Sequence, residues 1–466
     1  MSQLTEENEF SSGGRESLDK RAGWWAWPSI VGSVIFIAWS VNWIPDEAGA
    51  VAESDSNLKE EVPGVSSDLA ILQIQSQVLV ASASFDPKSS EATLEELKKQ
   101  VGGSRGQAAL ALLERFLDAE GDETQLSWGG EDGAADWLGL VEKARTTGLT
   151  EMERDDLREH LGWFADLAPD LDGNESPYAG EIRAKAVGVM VGLSAVFVCA
   201  LAGIIAGGIL LIWLVRAQRQ SGKMLKFSPT LMPRGILLEC FALYLGIMAL
   251  SEIAALKIHP IFALVGYVGA VVAPLIWPRI RGVSRRSFLL SIGCHRGQGI
   301  IREVGAGAVG YLGVMAIASV GISLTWLLSL IVGLVAGGDM IGDVGYDGPV
   351  EAEAHPIVGW IYSGGLKERL LCLALAAGFA PLVEEFFFRG ALHRHLRGRF
   401  GFLVSSILTG VIFASLHPQG WLAIPALASI GVGFSLLREW RDSLIAPMVA
   451  HAINNGALVG FLCIVL

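Results

Sequence analysis

Charge is scarce in this 466-residue chain. Asp, Glu, Lys and Arg make up only 18% of it, against about a quarter in ordinary soluble domains. With 52% hydrophobic residues and a mean hydropathy of +0.46, that scarcity excludes a water-soluble body and leaves an integral membrane protein. Cysteine is sparse too. Cys199, Cys240, Cys294, Cys372 and Cys463 all lie outside the polar segment 46–185, so no disulfide framework staples that segment, and the five read as packing residues in or beside apolar runs. Also missing are a His-Glu-x-x-His helix, an internal repeat of convincing period, and the inverted repeat with paired broken helices expected of many transporters.

What is present is a series of apolar runs. Candidate spans fall at 24–44, 187–215, 234–255, 260–277, 304–335, 367–390, 402–417, 421–437 and 443–464. The expected fold is all-α: a polytopic transmembrane bundle of about nine spans with an inserted soluble helical domain. Basic clusters at Arg216, Arg219, Lys223 and Lys226, at Arg279, Arg281, Arg285 and Arg286, at Arg394, Arg397 and Arg399, and at Arg438 and Arg441 all reach the cytoplasmic side if the N-terminus is inside. Segments 46–185 and 336–366 are then outside. The expected domains are 1–45, the N-terminus and first span; 46–185, an acidic extracytoplasmic domain; 186–300, spans and basic loops; and 301–466, a catalytic core. Lys20 and Arg21 before the first span, with Ala48-Gly49-Ala50 after it, have the form of a signal peptide. The n-region is long and acidic, so an uncleaved anchor is the expectation. The final Cys463-Ile464-Val465-Leu466 has the form of a prenylation signal but ends an apolar span and reads as coincidence.

Residues 46–185 hold 30 acidic and 12 basic side chains, a net of −18 against −13 for the whole chain. The acidity therefore belongs to this segment alone. Helical spacing recurs at Leu110, Leu112, Leu113 and Phe116-Leu117, with Asp118 and Gly121 as an end, at Trp137, Leu138, Leu140 and Val141, and at Leu157, Leu161, Trp163-Phe164 and Leu167. Thr150 and Glu153 have capping-box spacing. Four or five short helices are expected between about 65 and 168, with a solvated acidic surface that offers itself to a protein partner. Glu239 and Glu252, in or near the third span, carry no special claim.

The chemistry concentrates in the last four spans. Glu384 and Glu385 follow the apolar run 370–379, and an intramembrane carboxylate is rarely kept without a task. On a helix, Glu385 and Arg389 share a face while Glu384 diverges by about 100°. Arg389 is thus expected to neutralise Glu385 and leave Glu384 free. Phe413 and His417, then His451 and Asn455, repeat the i, i+4 spacing, and at about 1.5 Å per residue the polar groups fall at similar heights. A carboxylate with a histidine can hold a water and take its proton. A second histidine and an amide can stabilise an oxyanion. Together they suit peptide-bond hydrolysis without a covalent intermediate. The same donors could instead hold zinc. His393 and His395, among arginines near the inner end, read as solvated, and His259 and His355 as loop residues.

The ordered set Glu384-Glu385-x-x-x-Arg389, Phe413-x-x-x-His417 and His451-x-x-x-Asn455, with Phe388, Gly390, Leu444 and Pro447 around it, resembles the CPBP family of CAAX-prenyl proteases and bacteriocin-processing (Abi) enzymes. The resemblance covers about 360–466. It implies a glutamic intramembrane endopeptidase without metal or other cofactor, in which Glu384 and His417 activate water and His451 and Asn455 stabilise the oxyanion. Glu385, Arg389 and Phe413 would support the architecture. A membrane-associated protein or peptide substrate and the bilayer are the implied partners, with no nucleic acid, and a bacterial cell membrane is the implied location. A scaffold that binds partners through the acidic domain is the non-enzymatic alternative.

Overall fold

The structure, a computed structural model, describes residues 25–43, 67–101, 104–117, 135–171, 175–222, 225, 230–259, 261–336 and 356–466. Expectations resting on Lys20, Arg21, Ala48-Gly49-Ala50, Asp118, Gly121, Lys223, Lys226 and His355 lie outside them. Among the described residues there is no named strand; one isolated bridge joins Leu149 and Asp170. In chain order the helices are α1 (Ala26–Trp43), α2 (Ser67–Ala83), α3 (Pro87–Gln100), α4 (Ser104–Phe116), α5 (Ala135–Thr146), α6 (Glu151–Leu161), α7 (Ala179–Ser221), α8 (Arg234–Lys257), α9 (Ile261–Ile280), α10 (Arg285–Ile292), α11 (Ile300–Ala336), α12 (Pro356–Ser363), α13 (Leu366–Leu396), α14 (Phe402–Ser415), α15 (Ile424–Arg441) and α16 (Ile445–Val465). The protein is a polytopic all-α membrane protein.

Each of the nine apolar runs is helical. Seven helices are long and apolar enough to cross a membrane, α7, α8, α9, α11, α13, α15 (with the turn before it) and α16. The first and seventh runs give shorter apolar helices: α14 has 14 residues, about 21 Å at 1.5 Å per residue, less than a bilayer core.

The chain divides into two compact units. One comprises 59–199, 333–372 and 460–466, so it takes in a stretch beyond the expected 46–185 boundary. Its core is apolar, with Leu69, Leu72, Leu112, Leu113, Val141, Leu157, Leu161 and Phe164 buried together. Five helices, α2 to α6, stand where four or five were expected, and α12 packs on α2. The capping box forms: Thr150 Oγ1 accepts from Glu153 N at 3.3 Å, and Glu153 Oε2 accepts from Thr150 N at 2.9 Å. Fully buried Arg154 donates to Ala168 O at 2.6 Å and Ala165 O at 3.2 Å. These carbonyls end the short 3₁₀ turn Gly162–Leu167, so one guanidinium supplies the donors that the turn's last carbonyls need.

The other unit comprises 1–58, 200–332 and 373–459. Helix α8 packs along α9, α1 and the middle of α13, and α14 packs along α15. The α14–α15 contact depends on glycine. A Cβ at Gly431 would stand 2.9 Å from Gly410 Cα, and only small residues let two backbones approach so closely.

The basic ends of these helices meet in one polar layer. Arg394 donates to Ser291 O and Arg438 to Ile292 O, both at 3.2 Å, so two buried cations close the carbonyl end of α10, where the helix dipole is negative. Arg441 Nη2 pairs with Glu303 Oε1 at 2.8 Å. The expectation that His393 and His395 are solvated is overturned. Both are buried, because α13 runs on to Leu396 inside this layer. His393 Nε2 lies 3.2 Å from Glu439 Oε1, and His395 Nδ1 lies 2.9 Å from Arg234 O. Glu239, also buried, accepts from Trp277 Nε1 at 2.7 Å, a structural role.

Candidate active site

Helix α13 is not a uniform α-helix. Residues Ala374–Phe379 and Phe386–Leu392 are π-helical, and Ala380–Glu385 between them is α-helical. The bonds Ala380 N–H to Leu375 O and His393 N–H to Phe388 O span five residues rather than four. Such segments occur frequently at functional sites, and here they bracket the paired glutamates.

Glu385 and Arg389 pair as their spacing requires, Nη1 to Oε1 at 2.7 Å, with both side chains fully buried. The other arm of the guanidinium donates to Gly431 O at 3.1 Å, and its carbon lies 4.9 Å from the Phe413 ring centre and 5.2 Å from that of Phe434. The arginine thus holds a carboxylate, a carbonyl of α15 and two aromatic faces at once. Phe413 lies against that guanidinium and beside the rings of His417 and His451.

His451 stands between the two glutamates. Its Nδ1 lies 2.9 Å from Glu385 Oε1, and its Nε2 lies 3.7 Å from Glu384 Oε2. The ring stacks on Phe434 at 4.8 Å and meets the edge of Phe413 at 5.9 Å. With Nδ1–H donated to a carboxylate, the ring plane and the direction of Nε2 are fixed. Glu385 therefore has a second partner that helix spacing did not reveal.

Glu384 differs from its neighbour. Its side chain is 21% exposed against 0% for Glu385, and its Oε2 has no hydrogen-bond partner within the chain. At 3.7 Å the Glu384–His451 separation is beyond a hydrogen bond and suits a bridging water. His417, just past the end of α14, has Nδ1 2.7 Å from Phe413 O, and its ring centre lies 4.4 Å from that of Phe413. Phe413 is thus the common neighbour of both histidines. Asn455 donates from Nδ2 to Ala376 O at 3.0 Å, within the first π segment, and its Oδ1 accepts from Asn454 at 3.2 Å. One of its amide hydrogens is committed to the backbone and one is left.

Sequence spacing missed several neighbours. Tyr244 of α8 stacks face to face on Phe387, with ring centres 4.1 Å apart, and both Tyr244 and Tyr267 lie within electrostatic reach of Glu384. Phe434 and Gly431 come from α15. None of these shares a helix with the glutamates, so no i, i+4 rule could find them. Among the described residues no group of three or more His, Cys, Asp and Glu is arranged to hold a metal ion.

A membrane-embedded helical site of paired glutamates, arginine and histidines is the frame of a CAAX-protease-type domain, and comparison with known proteins agrees. Residues 366–457 match the family described as Type II CAAX prenyl endopeptidase Rce1-like. The chain is also 33% identical over 87 residues to the membrane-embedded CAAX protease MroQ of Staphylococcus aureus (strain USA300), an alignment covering 17% of this chain and 35% of that protein. The chain thus spans about a third of the length of that relative. No solved structure matches. Residues 366–457 thus carry the chain's likeness to CAAX proteases.

Proposed function

We propose that the protein is an intramembrane endopeptidase that hydrolyses a peptide bond in a membrane-associated protein or peptide, with Glu384 as the base. The observation that carries this reading is the difference between the adjacent carboxylates: Glu385 is spoken for by Arg389 and His451, while Glu384 is partly accessible and its Oε2, without a hydrogen-bond partner in the chain, lies 3.7 Å from His451 Nε2. Glu384 and His417 hold and activate the water. Its oxygen attacks the scissile carbonyl carbon and its proton passes to Glu384. Collapse of the tetrahedral intermediate breaks the C–N bond, and Glu384 returns the proton to the leaving amine.

His451 and the remaining amide hydrogen of Asn455 face the oxyanion. Glu385 positions the His451 ring. For zinc, the described residues bring together no three His, Cys, Asp or Glu donors, which makes the metal reading the weaker of the two; full activity after exhaustive chelation would sink it.

The convergence of Arg394, Arg438 and Arg441 in one polar layer supports a cytoplasmic end there, with the N-terminus inside and 46–185 outside. The test of function is the set of membrane peptides in cells carrying the wild type or Glu384→Gln. Peptides released only by the wild type, at equal protein levels, are the expected outcome. Identical peptide sets would leave a scaffold that binds partners through the acidic domain.

A further inference from the structure

Away from the glutamates, α7, α11 and α15 line a shallow, open groove walled by Leu210, Trp213, Leu214, Val314, Leu437 and Trp440, almost wholly apolar. Its floor is glycine: a Cβ at Gly433 would stand 2.9 Å from Val314. A concave apolar surface on a membrane helix bundle takes a hydrocarbon chain rather than water.

The chemistry at the mouth narrows the choice. Trp213 and Trp440 are amphipathic rings of the kind that sit at headgroup level. Arg216 and Arg219 follow Trp213 on α7, roughly 4.5 and 9 Å further along at 1.5 Å per residue. Both are exposed, and neither has an ion-pair partner among the described residues. The nearby Arg441 differs, since Glu303 already neutralises it. The uncompensated charge at this end of the groove is therefore positive.

We propose that the groove holds one acyl chain of an anionic phospholipid, whose phosphate is met by Arg216 and Arg219. The ligand is a resident lipid, distinct from any peptide cleaved at Glu384, and the site stands whether or not the protein is a protease.

The test takes the full chain in membranes of phosphatidylglycerol and phosphatidylethanolamine with identical tails, extracts it in mild detergent, and counts retained lipid by mass spectrometry. The wild type is expected to retain phosphatidylglycerol in preference. Combined Arg216→Gln and Arg219→Gln should lower that retention about tenfold or more, each basic residue near an anionic headgroup contributing on the order of a factor of five. Combined Arg285→Gln and Arg286→Gln, an equal loss of exposed charge on α10, should leave it unchanged. Equal retention of both lipids by the wild type, or an equal drop in both double variants, overturns the proposal. A second measurement does not depend on recovering the variants. Phosphatidylglycerol brominated along its tails should quench wild-type tryptophan fluorescence more than the brominated neutral lipid, and Trp213→Phe should shrink that difference. No difference in the wild type overturns the proposal as well.

Discussion

The acidic helical unit and the membrane core use charge in opposite ways. In the first, carboxylates are many and most lie in water. Lys98 pairs with Glu95 at 2.9 Å, yet Glu95 is 65% exposed, and exposed pairs contribute about 0 to 1 kcal/mol each. In the second, charges are few and several buried carboxylates are locked to an arginine: Glu385 to Arg389, Glu439 to Arg397 at 2.7 Å, Glu303 to Arg441. An unpaired buried charge is the costly state there. The consequence is diagnostic. Among the 30 carboxylates of segment 46–185, position says little about purpose, whereas in the core a carboxylate without an arginine or lysine is conspicuous. Glu384 is one; Glu252, which accepts from Ser40 Oγ at 3.3 Å, is another.

The sharpest break in this comparison is to remove Glu384. Glu384→Ala is expected to abolish detectable cleavage, a fall of at least about 10²-fold for loss of a positioned base, with folded yield preserved. Proteolysis by purified variant in liposomes, normalised to monodisperse protein, checks it. Next comes Arg389→Met, which strands Glu385 in the core. A loss of about 3–5 kcal/mol is expected for breaking a buried pair from one side, visible as collapse of the monodisperse fraction. Glu385→Ala should behave likewise, with lower folded yield. Equal yield but equal loss of activity in Glu384→Ala and Glu385→Ala would contradict the division of labour between them.

In the acidic unit the expected effects are smaller. Arg154→Met should destabilise it by about 1–3 kcal/mol, because Ala165 O and Ala168 O lose their donor. Thr150→Ala should cost about 1 kcal/mol by removing the cap. Hydrogen exchange over 150–168 in the full chain would show both. Titration gives the gentlest probe. The hydrogen bond from Lys143, with those from the Thr150 backbone and hydroxyl, lowers the Glu153 carboxyl from the usual 4.5 to about 2. Because the folded value lies below the unfolded one, its stabilisation is complete above about pH 4.5 and disappears as pH falls towards 2. Glu153→Gln should flatten that part of the profile in the 151–161 helix by lowering protection at pH 7 towards its acid value.

Much of this was legible in the sequence, for reasons that differ by region. The apolar runs, the capping box at Thr150 and the Glu385–Arg389 pair are local, fixed by hydropathy and by spacing of three or four residues. The three motifs also announced that Glu384, His417, His451 and Asn455 belong to one region. What could not be read was lateral: that His451 would turn Nδ1 to Glu385, that Asn455 would hold Ala376 O, or that Arg154 would cap a turn. Each depends on a partner from a distant part of the chain. His393 misled for a related reason. A histidine among arginines suggests solvent, and only Glu439, 46 positions on, shows it to be interior.

The two π segments of α13 carry a consequence for how this site tolerates change. Inserting one residue in an α-helix rotates everything beyond it by about 100°, which would turn a glutamate away from its histidine. A π turn absorbs one residue too many and keeps both flanks aligned. Ala380–Glu385 therefore sits between two slack turns, like a dial set independently of its mountings. Deleting a single residue from either turn, with no polar group touched, should return that turn to α-helix with its flanks still aligned, and the proposed cleavage should survive.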